Sequence, residues 1–341
     1  PLMRYRARLT APLTAIVATC SILALAGCDI RSVPPLESPE QQALDASPGP
    51  PLPEGSTIEE AGTNAPKQED DTKLKGTYRP DDQTAKERVP DIVKRGRLIV
   101  GVDRSNNLLS YRDAASGDVR GFEVDIAHEI ARDIFGDPNK VDFRFVESSD
   151  RTAALDNGTV DIIVRTMTIS PEREKEVAFS IPYMTTQTRM LVLTSSGMNS
   201  IDDADGKRLC GVRGSTALDT IRERAPQSDI LITRSWGDCL MALQLNQADG
   251  VVVDDALLSG MAAQDSYTSI VGEPLKTENY GVAARRPSKD HDSRPLLRQV
   301  NSTLERIRRD GTWSDIFDRW LGAYLDEPTL PSGTYIEEDK S

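Results

Sequence analysis

From Arg97 onward the chain alternates short apolar runs with stretches whose apolar residues recur every three to four positions. Leu98-Ile99-Val100-Gly101-Val102 has no polar interruption and ends on Asp103, which predicts a buried strand with a carboxylate at its C-terminal end. Phe122, Ile126, Ile130 and Ile134 then share one face at a 3.6-residue period, and Gly136 marks the end of that helix. Further strands are predicted over Val141–Val146, Asp161–Val164, Arg208–Val212, Ile230–Thr233 and Gly250–Asp254. Helices are predicted over Asp150–Asp156, Thr216–Arg224, Trp236–Asn246, Asp255–Ala263, Pro295–Arg309 and Thr312–Leu321. Strand and helix in turn predict an α/β fold with largely parallel strands.

Two stretches break the alternation. Thr186–Leu193 and Glu278–Ala284 suit strands but lack a helix-length apolar face, so they read as connections between two lobes. The first lobe is then expected over 89–187 and 278–329, and the second over 188–277, with strand connections at its edges. Residues 28–88 are rich in Pro, Ser, Glu, Asp and Gln, as in Pro48-Gly49-Pro50-Pro51-Leu52-Pro53, and bury too little apolar surface to offset ordering entropy. They are expected to be a disordered tether, and 330–341 a disordered tail.

Ahead of the tether, Arg4, Arg6 and Arg8 precede an apolar run from Ala11 to Ala26 that stops at Leu25-Ala26-Gly27-Cys28. A run of roughly 16 residues is shorter than a spanning helix, so residues 1–27 read as a cleaved secretory signal. The boundary resembles a lipobox, which implies lipidation of Cys28 and anchoring at the outer face of the cell membrane. Cys20 leaves with the signal, so the folded part keeps Cys210 and Cys239. In an oxidising compartment this even pair suggests one disulfide, the alternative being two separate buried thiols. The net charge of −13 argues against nucleic acid, and two histidines without a Cys-x-x-Cys argue against structural zinc.

The most informative segment is Asp161-Ile162-Ile163-Val164-Arg165-Thr166-Met167-Thr168-Ile169-Ser170-Pro171-Glu172-Arg173, followed by Phe179-Ser180-Ile181-Pro182-Tyr183. It resembles the family-3 bacterial solute-binding proteins, polar amino-acid receptors of ABC importers, although many relatives have glycine where this chain has Thr166. Other motifs carry the resemblance in the expected order: Gly121-Phe122-Glu123-Val124-Asp125, Gly206-Lys207 leading to Gly214-Ser215-Thr216, Ala248-Asp249-Gly250 through Asp254-Asp255, and Asp310-Gly311-Thr312-Trp313. Within that family the chain looks similar to actinobacterial glutamine/glutamate-type binding lipoproteins, with which it shares Arg-Leu-Ile-Val-Gly and Ala-Arg-Asp-Ile-Phe-Gly. The resemblance implies a two-lobed periplasmic-binding-protein type II (Venus-flytrap) fold with two hinge strands, no enzymatic activity and no cofactor.

It also implies a ligand set, and the residue chemistry agrees with it. A zwitterion needs a cation and an anion on opposite sides of one small site. Arg173 suits the α-carboxylate, through a paired contact that lysine cannot reproduce, unless it forms a surface ion pair with Glu172 or Glu176. Thr168 is expected to add a hydroxyl or backbone donor to the same carboxylate, and Thr166 sits beside it. Ser215 and Thr216 open a helix, where unpaired N–H groups favour a carboxylate or where the hydroxyls serve only as caps. Asp254, at the C-terminal end of a buried strand, suits the α-ammonium, with Asp255 as the competing residue. Asp103 either faces the cleft or ends its strand. Asn106 occupies the first cleft loop, where relatives often place an aromatic residue. Arg165 and Arg213 make the pocket cationic, or serve the fold or an ion pair. The expected ligand is therefore free glutamate, aspartate, glutamine or asparagine, bound by a monomer through hinge closure. Its partner is either an ABC permease or a membrane sensor protein that signals without transport. An enzyme on the same scaffold is the third class.

Overall fold

The computed structural model describes residues 49–66 and 73–337; the expected leader, Cys28 and the first part of the expected tether lie outside them. Nine strands among the described residues form one hydrogen-bonded sheet. They are β1 (Thr57–Glu59), β2 (Leu98–Val102), β3 (Val141–Phe145), β4 (Ile162–Ile163), β5 (Val177–Leu193), β6 (Arg208–Val212), β7 (Asp229–Thr233), β8 (Gly250–Asp254) and β9 (Thr268–Arg285). Their spatial order is β1-β7-β6-β8-β5-β9-β4-β2-β3.

That order makes two lobes. β2 pairs in parallel with β3 and β4 on one side, and β6 pairs in parallel with β7 and β8 on the other. Between them run β5 and β9, 17 and 18 residues long, antiparallel to each other and shared by both lobes. The two stretches expected to connect the lobes lie inside these strands, and Thr186 faces Glu278 across the pair. Each long strand is polar toward its middle, Thr185-Thr186-Gln187-Thr188 against Lys276-Thr277-Glu278-Asn279, because the lobes part there and a cleft opens.

Helices cover the sheet through their apolar faces. Helix α1 (Phe122–Phe135) buries Phe122, Ile126, Ile130 and Ile134, and the chain leaves it through Gly136 at φ 72°, a left-handed turn that glycine adopts without strain. The other helices near the sheet are α2 (Arg151–Asp156), α3 (Ala217–Arg224), α4 (Trp236–Gln244), α5 (Asp255–Ala262), α6 (Arg294–Arg309) and α7 (Thr312–Trp320). Trp313 on α7 stacks on Phe317 and meets Phe122 edge-on, tying the C-terminal helices to the first lobe. Ser235 and Asp238 cap α4 reciprocally, and a Cys210–Cys239 disulfide joins that helix to β6 with the Cα atoms 5.6 Å apart. His128 is half-buried against the carbonyl of Pro138 and the ring of Phe143, a packing position.

The expectation of a tether disordered to residue 88 does not hold for its second part. β1 adds an antiparallel edge to β7 through Thr57, Ile58 and Glu59, and Glu59 holds Arg222 through two hydrogen bonds of 2.8 Å. Lys75 and Gly76 donate backbone N–H groups to Glu174 of the first lobe. Thr77 bridges to Tyr335, so the expected disordered tail is also engaged as far as that residue, where the Tyr335 hydroxyl donates to Glu305. Composition misled here because main-chain pairing to a sheet edge and isolated ion pairs need no apolar pattern. A segment poor in large side chains takes its order from the surface it lies on.

Candidate functional site

The cleft between the lobes is assembled from the turns that follow β4, β6 and β8. Its inner chamber, of about 20 Å³, is lined by Ser148, Arg151, Thr166, Thr168, Arg173, Ser215, Thr216, Trp236 and Asp254, among others. It adjoins an outer chamber of about 250 Å³ that shares Ser148, Arg151, Arg173, Ser215 and Thr216. A larger cavity of about 330 Å³ lies between Arg88, Pro90, Asp161 and His291, away from this chemistry. We place the site in the cleft because convergent charged groups, not volume, mark a ligand position.

One wall is cationic. Arg173 donates to the carbonyls of Thr168 at 3.0 Å and Gly214 at 3.1 Å. Arg151, buried at 4% exposure, donates to the carbonyls of Ser148, Arg165 and Gly214. Burial lowers both guanidiniums below the ordinary arginine value, and for Arg151 the neighbouring charges of Arg173 and Arg165 act in the same direction. Positive charge is thus concentrated beside the cavity and held by neutral carbonyls, an arrangement that favours an incoming carboxylate. Gly214 makes it possible. At φ 78° it turns left-handed, and a Cβ there would stand 3.1 Å from the Ser149 Cα in the opposite lobe.

The facing wall is anionic. Asp254, 5% exposed, accepts from the Tyr280 hydroxyl at 2.5 Å and from Thr188 at 3.2 Å. Burial, reinforced by the charge of Glu278, pushes its carboxyl up to about 8. Asp255 instead accepts from Thr186 and the Gln187 N–H, which commits it to β5 and leaves Asp254 as the carboxylate of the cavity. Glu278 lies on β9, 3% exposed, and takes the hydroxyls of Thr168 at 2.7 Å and Thr216 at 3.0 Å on the same oxygen.

The remaining candidates separate into those inside and those outside. Ser215 directs its hydroxyl to the Val212 carbonyl at 2.6 Å, so what it offers the cavity is position rather than a free donor. Thr166 lines the chamber at φ 40°, a left-handed angle that glycine adopts more readily than a β-branched residue, and its N–H donates to Glu123. Arg165 and Asp103 are not among the residues that line either chamber. They form an ion pair buried at 2% and 5% exposure, and Arg165 also donates to Ser148 at 2.6 Å, so each satisfies the other beneath the cleft. Arg213 is exposed and turns away to the Gly55 carbonyl at 3.3 Å. Asn106 is buried with both amide atoms unpartnered among the described residues, at the end of the two-residue strand Ser105–Asn106, and its neighbour Asn107 donates to the Gly260 carbonyl of the second lobe. Arg151 and Glu278 were not singled out by the sequence. Arg151 looked like any charged residue on a short helix, and Glu278 like a polar position on a connection.

These geometries can be set beside known proteins. Residues 98–323 match the model of the bacterial extracellular solute-binding proteins, family 3. The chain belongs to that family. It is 33% identical over 240 residues to the glutamine-binding protein of an ABC transporter of Bacillus subtilis, covering 70% of this chain and 86% of that one. It is 34% identical over 278 residues to a glutamine-binding protein of Geobacillus stearothermophilus, covering 81% and 92%. Among solved structures it superposes on an ancestral arginine-binding protein bound to glutamine with a TM-score of 0.61 at 29% identity, covering 67% of this chain and 99% of that one. These relatives are binding proteins, and the family-3 fold accounts for the two lobes and the paired long strands. Among the described residues no helix is long and apolar enough to cross a membrane.

Proposed function

We propose that this family-3 protein is an extracytoplasmic, lipid-anchored receptor that takes one free polar amino acid into its cleft by hinge closure and delivers it to an ABC importer. The observation that carries this reading is that Arg151, Arg173 and Asp254 line one cavity, with Glu278 buried behind the Thr168 and Thr216 hydroxyls. Guanidiniums and a carboxylate on one chamber suit a zwitterion and disfavour a simple anion or cation. Arg173 takes the α-carboxylate, Asp254 the α-ammonium, and the cation-rich end a carboxylate or carboxamide side chain. The glutamine-binding relatives support the same ligand class.

Contacts already cross between the lobes near the site, including Arg234 with Glu147 and Arg151 and Arg173 with Gly214. A ligand that adds to such contacts favours the closed state by its differential affinity. A thermal-shift screen across the amino acids tests the assignment. Glutamate, glutamine, aspartate or asparagine should raise the melting temperature, corresponding to about 2.7 kcal/mol at a hundredfold excess over Kd. Stabilisation by leucine or arginine alone would reject it.

The raised carboxyl of Asp254 gives a second measurable consequence. An unfolded aspartate ionises near pH ~3.9, so between there and about 8 the empty folded protein binds more protons than the unfolded chain and loses stability as pH rises. An ammonium ligand reverses the preference by favouring the ionised form. Binding at pH 7 should therefore release a proton, and affinity should rise from pH 6 to 8 and then level. Calorimetry in buffers of different ionisation enthalpy reads this directly, and heats independent of buffer would contradict it.

A further inference from the structure

We propose that Glu278 is a second anionic group of the ammonium subsite, and that it fixes the hydroxyls of Thr168 and Thr216 as acceptors toward the ligand; this rests on the amino-acid reading of the cleft. Each hydroxyl has a single proton, and both protons are spent on the same Glu278 oxygen, at 2.7 Å from Thr168 and 3.0 Å from Thr216. What these side chains keep for the cavity is lone pairs. Lone pairs receive an ammonium and cannot hold a carboxylate.

Glu278's other oxygen is buried and unpartnered among the described residues. A buried carboxylate with an open acceptor costs free energy unless a donor arrives, and it costs more beside a second carboxylate. Asp254 is that second carboxylate, and the charge of Glu278 is one of the causes that raise it. An ammonium brings three donors and one positive charge. Asp254 and the hydroxyls of Thr168 and Thr216 line the cleft and provide an acceptor for each donor, with Glu278 behind the two hydroxyls. Placement adds a further role: Thr168 follows β4 in the first lobe, Thr216 precedes α3 in the second, and Glu278 sits on β9, which both lobes share. One carboxylate therefore ties both lobes' hydroxyls to the strand on which they meet.

The experiment compares wild type and Glu278→Gln, each titrated with glutamate, glutamine and glutarate, the last being glutamate without its amino group. The substitution keeps the side-chain shape and removes the charge. Affinity for the amino acid that binds should fall on the order of ten- to a hundredfold, while glutarate binding stays level or strengthens, so the preference for the amino form shrinks. Unchanged or tighter amino-acid binding in a folded variant overturns the proposal; tighter binding would mean that Glu278 competes with the ligand carboxylate. Failure of the wild type to bind any amino acid overturns the functional reading, and this proposal with it. If Glu278→Gln does not fold, Thr216→Val removes one of the two acceptors and should lower glutamate affinity without lowering that for glutarate. A parallel loss for both ligands would then reject the assignment.

Discussion

Arg173→Ala is expected to leave a folded protein that no longer binds its amino acid measurably. A buried carboxylate that loses its guanidinium is left unpaired, at a cost of about 2–5 kcal/mol, or on the order of thirty- to several thousandfold in affinity. The fold should tolerate the change because Arg173 is only half-buried and its two hydrogen bonds go to carbonyls of Thr168 and Gly214 at the cleft, not into a core. Arg151 remains, but it is committed to three carbonyls and retains the ligand only weakly. Arg173→Lys should not restore binding, since a single ammonium cannot span those carbonyls and grip a carboxylate together. Isothermal calorimetry beside a thermal melt measures both properties, and a wild-type Kd in the alanine variant would move the site elsewhere.

Strands such as Arg208–Val212 and Gly250–Asp254 were legible because their burial is nearly complete. Arg208–Val212 and Gly250–Asp254 occupy the predicted positions, and helices such as Arg151–Asp156 and Thr312–Trp320 differ from expectation by a residue or so at their ends. Residues following strand ends were legible too, since an open α/β sheet gathers ligand groups there. Arg173, Thr168, Ser215, Thr216 and Asp254 meet in one cavity for that reason. What the sequence did not show is how charges are shared. Arg165 stands next to Thr166 and read either as a further cation of the pocket or as a residue of the fold or an ion pair; it forms the ion pair, and Arg151 on a neighbouring helix lines the cavity. The exchange depends on Asp103, 62 residues before Arg165, and no local pattern encodes a pairing at that separation. Glu278 was hidden likewise, because its importance comes from two threonines on different lobes. The segment Thr57–Glu59 contains one large apolar residue and folds only against the edge of β7.

Arg165→Ala is expected to act on stability before it acts on binding. Its ion pair with Asp103 is buried at 2% and 5% exposure, and removing one member leaves an uncompensated charge, at about 3–5 kcal/mol. Asp103 would keep the N–H and hydroxyl of Ser105, at 2.7 and 2.8 Å, but these dipoles do not replace a full positive charge. Asp103→Leu combined with Arg165→Met should recover most of the loss, because an apolar pair of similar volume avoids the desolvation that the ion pair must overcome. Recovery identifies the interaction as mutual, which neither single variant can do. Chemical denaturation of the two single variants and the double variant measures these terms, and calorimetry follows the ligand. Both singles should bind only as far as they remain folded, since the Arg165 side chain holds Ser148 from below while its main-chain carbonyl, which the substitution keeps, still accepts from Arg151. An Arg165→Ala protein of unchanged stability and lost affinity would instead return Arg165 to the ligand, and the cation-rich wall would then hold three arginines rather than two.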